Sequence, residues 1–431
     1  MLRKIILAMI LIVAVVCIAI LLGTFRSTSV APGVDTPLSA EKMQQLIPRG
    51  RELAMAGDCF GCHSQPEGPK AAGGVAIDTP FGTLYSTNIT PDPIHGIGKY
   101  TRADFHRVLR DGLAPDNRNL YPAMPYIFTH ITTPEDIDAL YAYFMSIPPI
   151  AVANKSNSGV FSLPVRPFMN FWNLLNFPDR SVPEHPGRSD QWLRGAYLVQ
   201  GVGHCASCHT PQNFMMGVDF SRDFQGGEIN GWAIPNITPN ALAKHGFDVP
   251  TLTQYLSTGI APQGTSFADM QTVTHFSTSA MDINDVQAIA VYLLTGPDGK
   301  IVPASAPPQP LAQAEHPTPE SEMAIGKRTY LAACAGCHGS NGEGIPNVTP
   351  AMHGNATLAM ESARDLIRVV LNGIPTRTFT GNQRMYAMPP FAHELDDKEI
   401  ADLATWMRAE WGGQATAVNV EEIQKISRAV D

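Results

Sequence analysis

Apolar residues run from position 5 to position 23 (IILAMILIVAVVCIAILLG) without a charge. At about 1.5 Å per residue, a helix over this stretch reaches about 28 Å, close to the hydrocarbon thickness of a bilayer. The pattern predicts an N-terminal transmembrane helix, with Arg3 and Lys4 on the cytoplasmic side and the rest of the chain outside. Arg26 is the next cation. A cleaved leader is the alternative, with Ser29-Val30-Ala31 as a small-x-small site, although leaders usually carry a shorter apolar core of about 7–15 residues.

Beyond this stretch the pattern turns amphipathic and repeats. Three segments open alike: Arg49-Gly50-Arg51-Glu52-Leu53, Arg194-Gly195-Ala196-Tyr197-Leu198 and Ile325-Gly326-Lys327-Arg328-Thr329-Tyr330. Three later segments carry apolar residues at helical spacing: Ile137, Leu140, Tyr143 and Phe144; Val286, Ile289, Tyr292 and Leu293; Ile400, Leu403 and Trp406. These predict an opening and a closing helix in each of three copies of one small unit. Copies one and two share Asn-Ile-Thr-Pro (Asn88–Pro91, Asn236–Pro239), whereas Asn347–Pro350 in copy three stands too near its motif to correspond. Residues 151–190, rich in Pro and aromatics without a clean helical period, read as an ordered connector. Residues 297–318 are Pro/Ala-rich and read as a semi-rigid linker.

The expected architecture is mainly α: an anchor (1–26), then three small helical domains (46–150, 191–296, 319–413) joined by the connector and the linker. A tail (414–431) follows, in which Val418 to Ile426 could form a last helix. Composition adds little: charged residues are few at 16%, and 36 Gly with 36 Pro imply extensive loops. A net charge of −9 without a Lys/Arg-rich tract excludes nucleic acid as the partner, because phosphate binding needs a basic face.

The cysteines carry the chemistry. One of the seven, Cys17, lies in the apolar stretch behind Val16 and reads as a small apolar side chain. The other six form Cys59-Phe60-Gly61-Cys62-His63, Cys205-Ala206-Ser207-Cys208-His209 and Cys334-Ala335-Gly336-Cys337-His338. Chance would produce about 0.003 such motifs in a chain of this composition. Two thiols three positions apart can form thioether bonds to the two vinyl groups of one haem, and the next His then meets the iron. A redox pair needs no following His, and a zinc site built from two pairs leaves the third unexplained. The motifs therefore predict three covalently bound haem c groups, attached in an oxidising, extracytoplasmic compartment, and with one motif in each helical domain the three domains are expected to be class I cytochrome c-like. His95, His106 and His353 lack any partner pattern and read as surface or loop residues.

A second axial ligand is required for six-coordinate electron transfer, and a Met thioether raises the potential relative to a second His. Met124 in Tyr-Pro-Ala-Met-Pro and Met388 in Tyr-Ala-Met-Pro-Pro share a local sequence, with Pro stiffening the turn. Met270 lies 61 residues after His209, as Met124 lies 61 after His63. Met281, only four residues before Asp285, reads as a helix-start residue, and His275 stays open as a bis-His alternative.

With these features in place, the chain resembles the three-haem cytochrome c subunits of membrane-bound bacterial alcohol, aldehyde and gluconate dehydrogenases. The likeness runs through Gly73-Gly74, Ser86-Thr87-Asn88-Ile89-Thr90-Pro91-Asp92-Pro93, Gly96-Ile97-Gly98-Lys99-Tyr100, Leu120-Tyr121-Pro122-Ala123-Met124-Pro125-Tyr126 and Leu140-Tyr141-Ala142-Tyr143-Phe144. It implies electron relay from a large catalytic subunit to ubiquinone, and axial pairs His63–Met124, His209–Met270 and His338–Met388. It also implies a chain at the bacterial inner membrane with its haem domains on the periplasmic side. Alcohol-dehydrogenase members resemble each other in a cleaved leader and a longer C-terminal extension, whereas this sequence reads as keeping its N-terminal helix and ends soon after its third domain. That favours the aldehyde-dehydrogenase type, whose catalytic partner carries molybdopterin with a small iron–sulfur subunit, over the quinoprotein type. A multi-haem peroxidase, or a cytochrome subunit of a terminal oxidase, is the alternative.

Overall fold

The computed structural model describes residues 2–22, 33–178, 180–181, 185–315, 318 and 320–427. They fall into two compact units, Met1–His185 with Ala196–His204 and Asn213–Val218, and Pro186–Gly195 with Cys205–Gln212 and Asp219–Asp431. The chain is mainly helical, and its strands form short two-stranded antiparallel hairpins.

A helix does form over Leu2–Leu22. Among the described residues, however, no helix is long and apolar enough to cross a membrane, which overturns the transmembrane helix expected over 5–23. Two cations, Arg3 and Lys4, stand in the helix's first turn, so its uncharged part is shorter than the helix itself. Arg26 and the small residues Ser29-Val30-Ala31 lie outside the described residues.

In the first unit the opening helix Ala40–Ala56, capped by Ser39, crosses the closing helix Pro134–Ser146, capped by Thr133 with Pro134 at its start. They cross at Gly50, where a Cβ would stand 1.8 Å from the Ala139 carbonyl oxygen and 2.7 Å from the Tyr143 Cβ. Only glycine lets two helix backbones approach so closely. Arg49 locks the crossing with two bonds of 2.9 Å to the Asp136 carboxylate.

The second unit repeats this crossing twice. Gly195, on the helix Asp190–Gln200, meets Ala288 and Tyr292 on the helix Ile283–Leu294, with its would-be Cβ 2.0 Å from the Ala288 oxygen. Arg194 grips Asp285 at 2.7 and 2.6 Å, in the manner of Arg49 and Asp136. Gly326, on Glu322–Ala333, meets Asp402 and Trp406 on Asp397–Trp411, its would-be Cβ 2.2 Å from the Asp402 oxygen. Here the ion pair is gone. Ile325 stands where the arginine would be, and Glu399, in the place of the aspartate, closes a capping box with Asp396.

The third crossing is stiffened by aromatic packing instead, with the Tyr330, Trp406 and Trp411 ring centroids 4.9–5.2 Å apart. The tail helix forms over Val420–Ser427 and buries Ile423 in this same core.

The connector holds a helix that its sequence pattern hides, Phe168–Asn176. Its buried face is Trp172, Asn173 and Asn176, while Phe168, Phe171, Leu174 and Leu175 are exposed. Polar side chains line the inner face because each has a partner: Asn173 accepts from the Tyr126 hydroxyl (2.7 Å), and Asn176 accepts from Asn213 (2.8 Å). An apolar inward stripe, the usual sign of a helix, is therefore missing.

Candidate haem-binding sites

Each Cys-x-x-Cys-His forms a single helical turn, at Cys59–His63, Ala206–His209 and Ala335–His338. Residues three apart share a helix face, so each turn points two thiols the same way. In all three, the first cysteine is half-buried and the second exposed. Burial pushes the Cys59 and Cys205 thiols up to about 12 and the Cys334 thiol up to about 11. A redox-active pair needs the opposite shift, toward thiolate. Before the first two motifs the chain takes a left-handed residue, Asp58 (φ 47°) and His204 (φ 37°), whereas Cys334 follows directly from the helix Glu322–Ala333.

The three histidines share one arrangement. The Nδ1 of His63, His209 and His338 donates to the backbone carbonyls of Thr87 (2.6 Å), Pro235 (2.8 Å) and Pro350 (3.1 Å). Burial also lowers the pKa of each ring, keeping it neutral. A neutral imidazole that donates through Nδ1 presents the Nε2 lone pair, which is the tautomer an iron ligand needs. Thr87 and Pro235 each follow a hairpin, Ala76–Thr79 with Gly82–Tyr85 and Gly227–Ile229 with Trp232–Ile234.

The Asn-Ile-Thr that comes next fixes these carbonyls. The Asn88 and Asn236 side-chain oxygens each accept from the backbone and hydroxyl of the Thr two positions on. In copy three the accepting residue is Pro350 itself, at the end of Asn347–Pro350. That stretch therefore stands before the accepting carbonyl and does not correspond to the other two.

The proposed methionines follow three equivalent helices. The helices Arg102–Asp111, Val249–Thr258 and Arg364–Asn372 end on Gly112, Gly259 and Gly373, each at positive φ (62°, 77°, 68°) as helix-ending glycines allow. The Gly112 carbonyl accepts from the Leu120 N–H (2.8 Å), four residues before Met124. Likewise the Gly259 carbonyl accepts from the Ser266 N–H (2.8 Å), four residues before Met270. Met388 exchanges two 2.9 Å bonds with Ile374 and packs, with Cys334, against the third core.

All three methionines are half-buried. Met124 stands in a Pro-flanked turn, while Met270 lies in the first turn of the helix Ala268–Phe276. His275 shares that helix, its ring centroid 4.7 Å from Phe276. Met281 immediately precedes Asp282, the cap of the closing helix Ile283–Leu294, as a helix-start residue would.

His106 departs from its surface reading. It is buried, and its Nε2 bonds Asp138 (2.8 Å), whose carboxylate also takes two 2.6 Å bonds from Arg102. The visible signal was spacing: residues 105, 106 and 109 share the buried stripe of the helix Arg102–Asp111.

The cytochrome c family matches residues 47–148 and 323–411. The chain is 39% identical to one of the nicotinate dehydrogenase subunits of Pseudomonas putida over 90% of its own length, but spans only 32% of that protein. It is 33% identical to the cytochrome c subunit of the quinone alcohol dehydrogenase of Gluconacetobacter polyoxogenes, covering 88% of this chain and 84% of the other. It is 34% identical to the gluconate 2-dehydrogenase cytochrome c subunit of Pantoea cypripedii, covering 95% and 94%. Neutral, carbonyl-anchored histidines beside paired thiols fit covalent haem, and with near full-length relatives of this kind the chain belongs to the family of cytochrome c subunits of dehydrogenase complexes, which transfer electrons through covalently bound haem c.

Proposed function

We propose that the chain holds three haem c groups, one in each of the repeats 46–150, 191–296 and 319–413, with axial pairs His63–Met124, His209–Met270 and His338–Met388. The observation that carries this reading is the Nδ1-to-carbonyl bond repeated at all three histidines. Haem supplies one-electron oxidation and reduction at iron. This chain's part is to bind it through two thiols, hold the imidazole tautomer through a backbone carbonyl, and bring a thioether from the segment behind the helix-ending glycine. The parallel Gly112–Leu120 and Gly259–Ser266 bonds support Met270 over His275 by matching its register to Met124.

Electrons enter from a large catalytic dehydrogenase subunit and leave to ubiquinone, on the periplasmic face of a bacterial inner membrane. Covalent haem attachment in an oxidising compartment supports that location. The preference for an aldehyde-oxidising molybdopterin partner with an iron–sulfur subunit rests in part on a retained transmembrane helix, and that part of its ground is lost. A quinoprotein alcohol dehydrogenase is the second reading of the partner, favoured by the likeness to the Gluconacetobacter cytochrome subunit over most of both chains. A peroxidase would need one iron with an open position, and a methionine candidate at each site weighs against it.

Affinity purification from membranes tests the proposal. A large dehydrogenase subunit should accompany the chain, ethanol or acetaldehyde should reduce its haems, and a ubiquinone analogue should reoxidise them. Recovery of the chain with no dehydrogenase subunit, or haems that neither substrate reduces, would refute it.

A further inference from the structure

The second site is tied together by two aromatic rings. Trp232 lies three residues before Pro235, whose carbonyl holds His209 Nδ1 (2.8 Å). On the opposite strap, Phe267 stands three residues before Met270. The two rings meet edge to face, their centroids 5.6 Å apart at 63°. This contact links the segment that orients the histidine to the segment that carries the methionine.

Over the Trp232 ring lies the Arg368 guanidinium, 4.5 Å from the centroid. Arg368 belongs to the helix Arg364–Asn372, in the third repeat. Its guanidinium also donates to the Asn230 carbonyl (3.1 Å), and a Cβ at Gly231 would stand 2.1 Å from one of its nitrogens. The same helix anchors the hairpin on either side of this stack, through the Arg364–Glu228 ion pair and through buried Asp365, which accepts from the Ala233 N–H (2.8 Å). A guanidinium stacked on an indole is held by dispersion and by attraction to the ring face. The first site has a counterpart of different origin: Arg166 of the connector lies 4.2 Å over Tyr121, three residues before Met124.

We propose that Arg368 is a positioning residue for the second haem: reaching over from the third repeat, it holds Trp232 against Phe267, fixes the spacing between the His209 and Met270 straps, and keeps a cation on that assembly. The potential of the second site then depends on one side chain of the third repeat. The inference rests on Met270 as axial ligand. Removing the cation favours the more positive ferric state, and slack between the straps weakens the thioether bond, so both effects lower the potential.

The test uses the full chain with its haems attached, as Arg368→Gln, Arg368→Lys, Glu228→Gln and Met270→Ala variants. Each is read by redox titration of the visible spectrum, by the methionine-to-iron charge-transfer band, and by thermal unfolding. Arg368→Gln should lower the potential of one haem, the same haem whose spectrum Met270→Ala changes, and weaken its band. Arg368→Lys, which keeps the charge but loses the planar stack, should give a smaller shift. Glu228→Gln, which touches only the docking ion pair, should leave all three potentials in place. A Met270→Ala response with no shift in Arg368→Gln, whatever its melting temperature, would overturn this inference alone. Unchanged spectra in Met270→Ala would overturn the ligand assignment and this inference with it.

Discussion

His63, His209 and His338 each commit one ring nitrogen to a backbone carbonyl, and that choice leaves the other for iron. The sixth position is the more exposed to challenge. Met270→Ala should convert one haem to high spin or lower its potential while the other two keep their spectra, whereas three unchanged spectra would point to His275. A second residue-scale prediction concerns Asp365. Burial raises its carboxyl from 3.8 to about 6, opposed by the Ala233 N–H and by Arg368 and Arg364. Between those values the folded chain holds a proton that the unfolded chain has released, so stability falls as pH rises from about 4 to about 6. Asp365→Asn removes that titration and keeps an oxygen for the Ala233 N–H. Thermal unfolding across pH 4–8 should show it more stable than the parent by roughly 1 kcal/mol above pH 6, and level with it near pH 4.

At the scale of elements, the repeated unit is a pair of crossed helices whose contact is a glycine. Gly50, Gly195 and Gly326 lie against the carbonyls of Ala139, Ala288 and Asp402 with no room for a methyl group. Gly326→Ala should therefore push apart Glu322–Ala333 and Asp397–Trp411, at a cost of about 1–3 kcal/mol, visible as a lower melting temperature. The third crossing is the sharpest place for this measurement. It has no counterpart of the Arg49–Asp136 pair, and its Tyr330–Trp406–Trp411 packing must absorb the displacement. An unchanged melting curve would mean the helices can slide without loss. The short hairpins act differently: they carry little core themselves, but deliver the Thr87 and Pro235 carbonyls to the histidines.

For the molecule as a whole, the consequence that matters is the number of electrons it can hold. Three equivalent histidine arrangements predict three haems, and intact mass measurement of the denatured chain should show three covalent additions. Replacing Cys337 and Cys334 together by Ser should reduce that to two while the first two sites keep their spectra. A parent mass with two additions would restrict the electron relay to two sites.

The sequence by itself determined what is local along the chain. Cys-x-x-Cys-His is chemistry within five residues, the opening and closing helices declare themselves through their 3.6-residue period, and Met124 and Met388 share a Pro-flanked turn. Tertiary structure decided the rest, because side-chain partners depend on which distant segments are packed together. Arg368 reaches Asn230 across 138 positions and Arg49 reaches Asp136 across 87, distances over which no periodicity extends. The burial of His106 depended on Asp138 arriving from another helix, and the helix Phe168–Asn176 was hidden because two of its inward residues, Asn173 and Asn176, are polar and accept hydrogen bonds from partners elsewhere. The N-terminal stretch shows the converse: an uncharged run makes a helix, but among the described residues that helix is not long and apolar enough to cross a membrane.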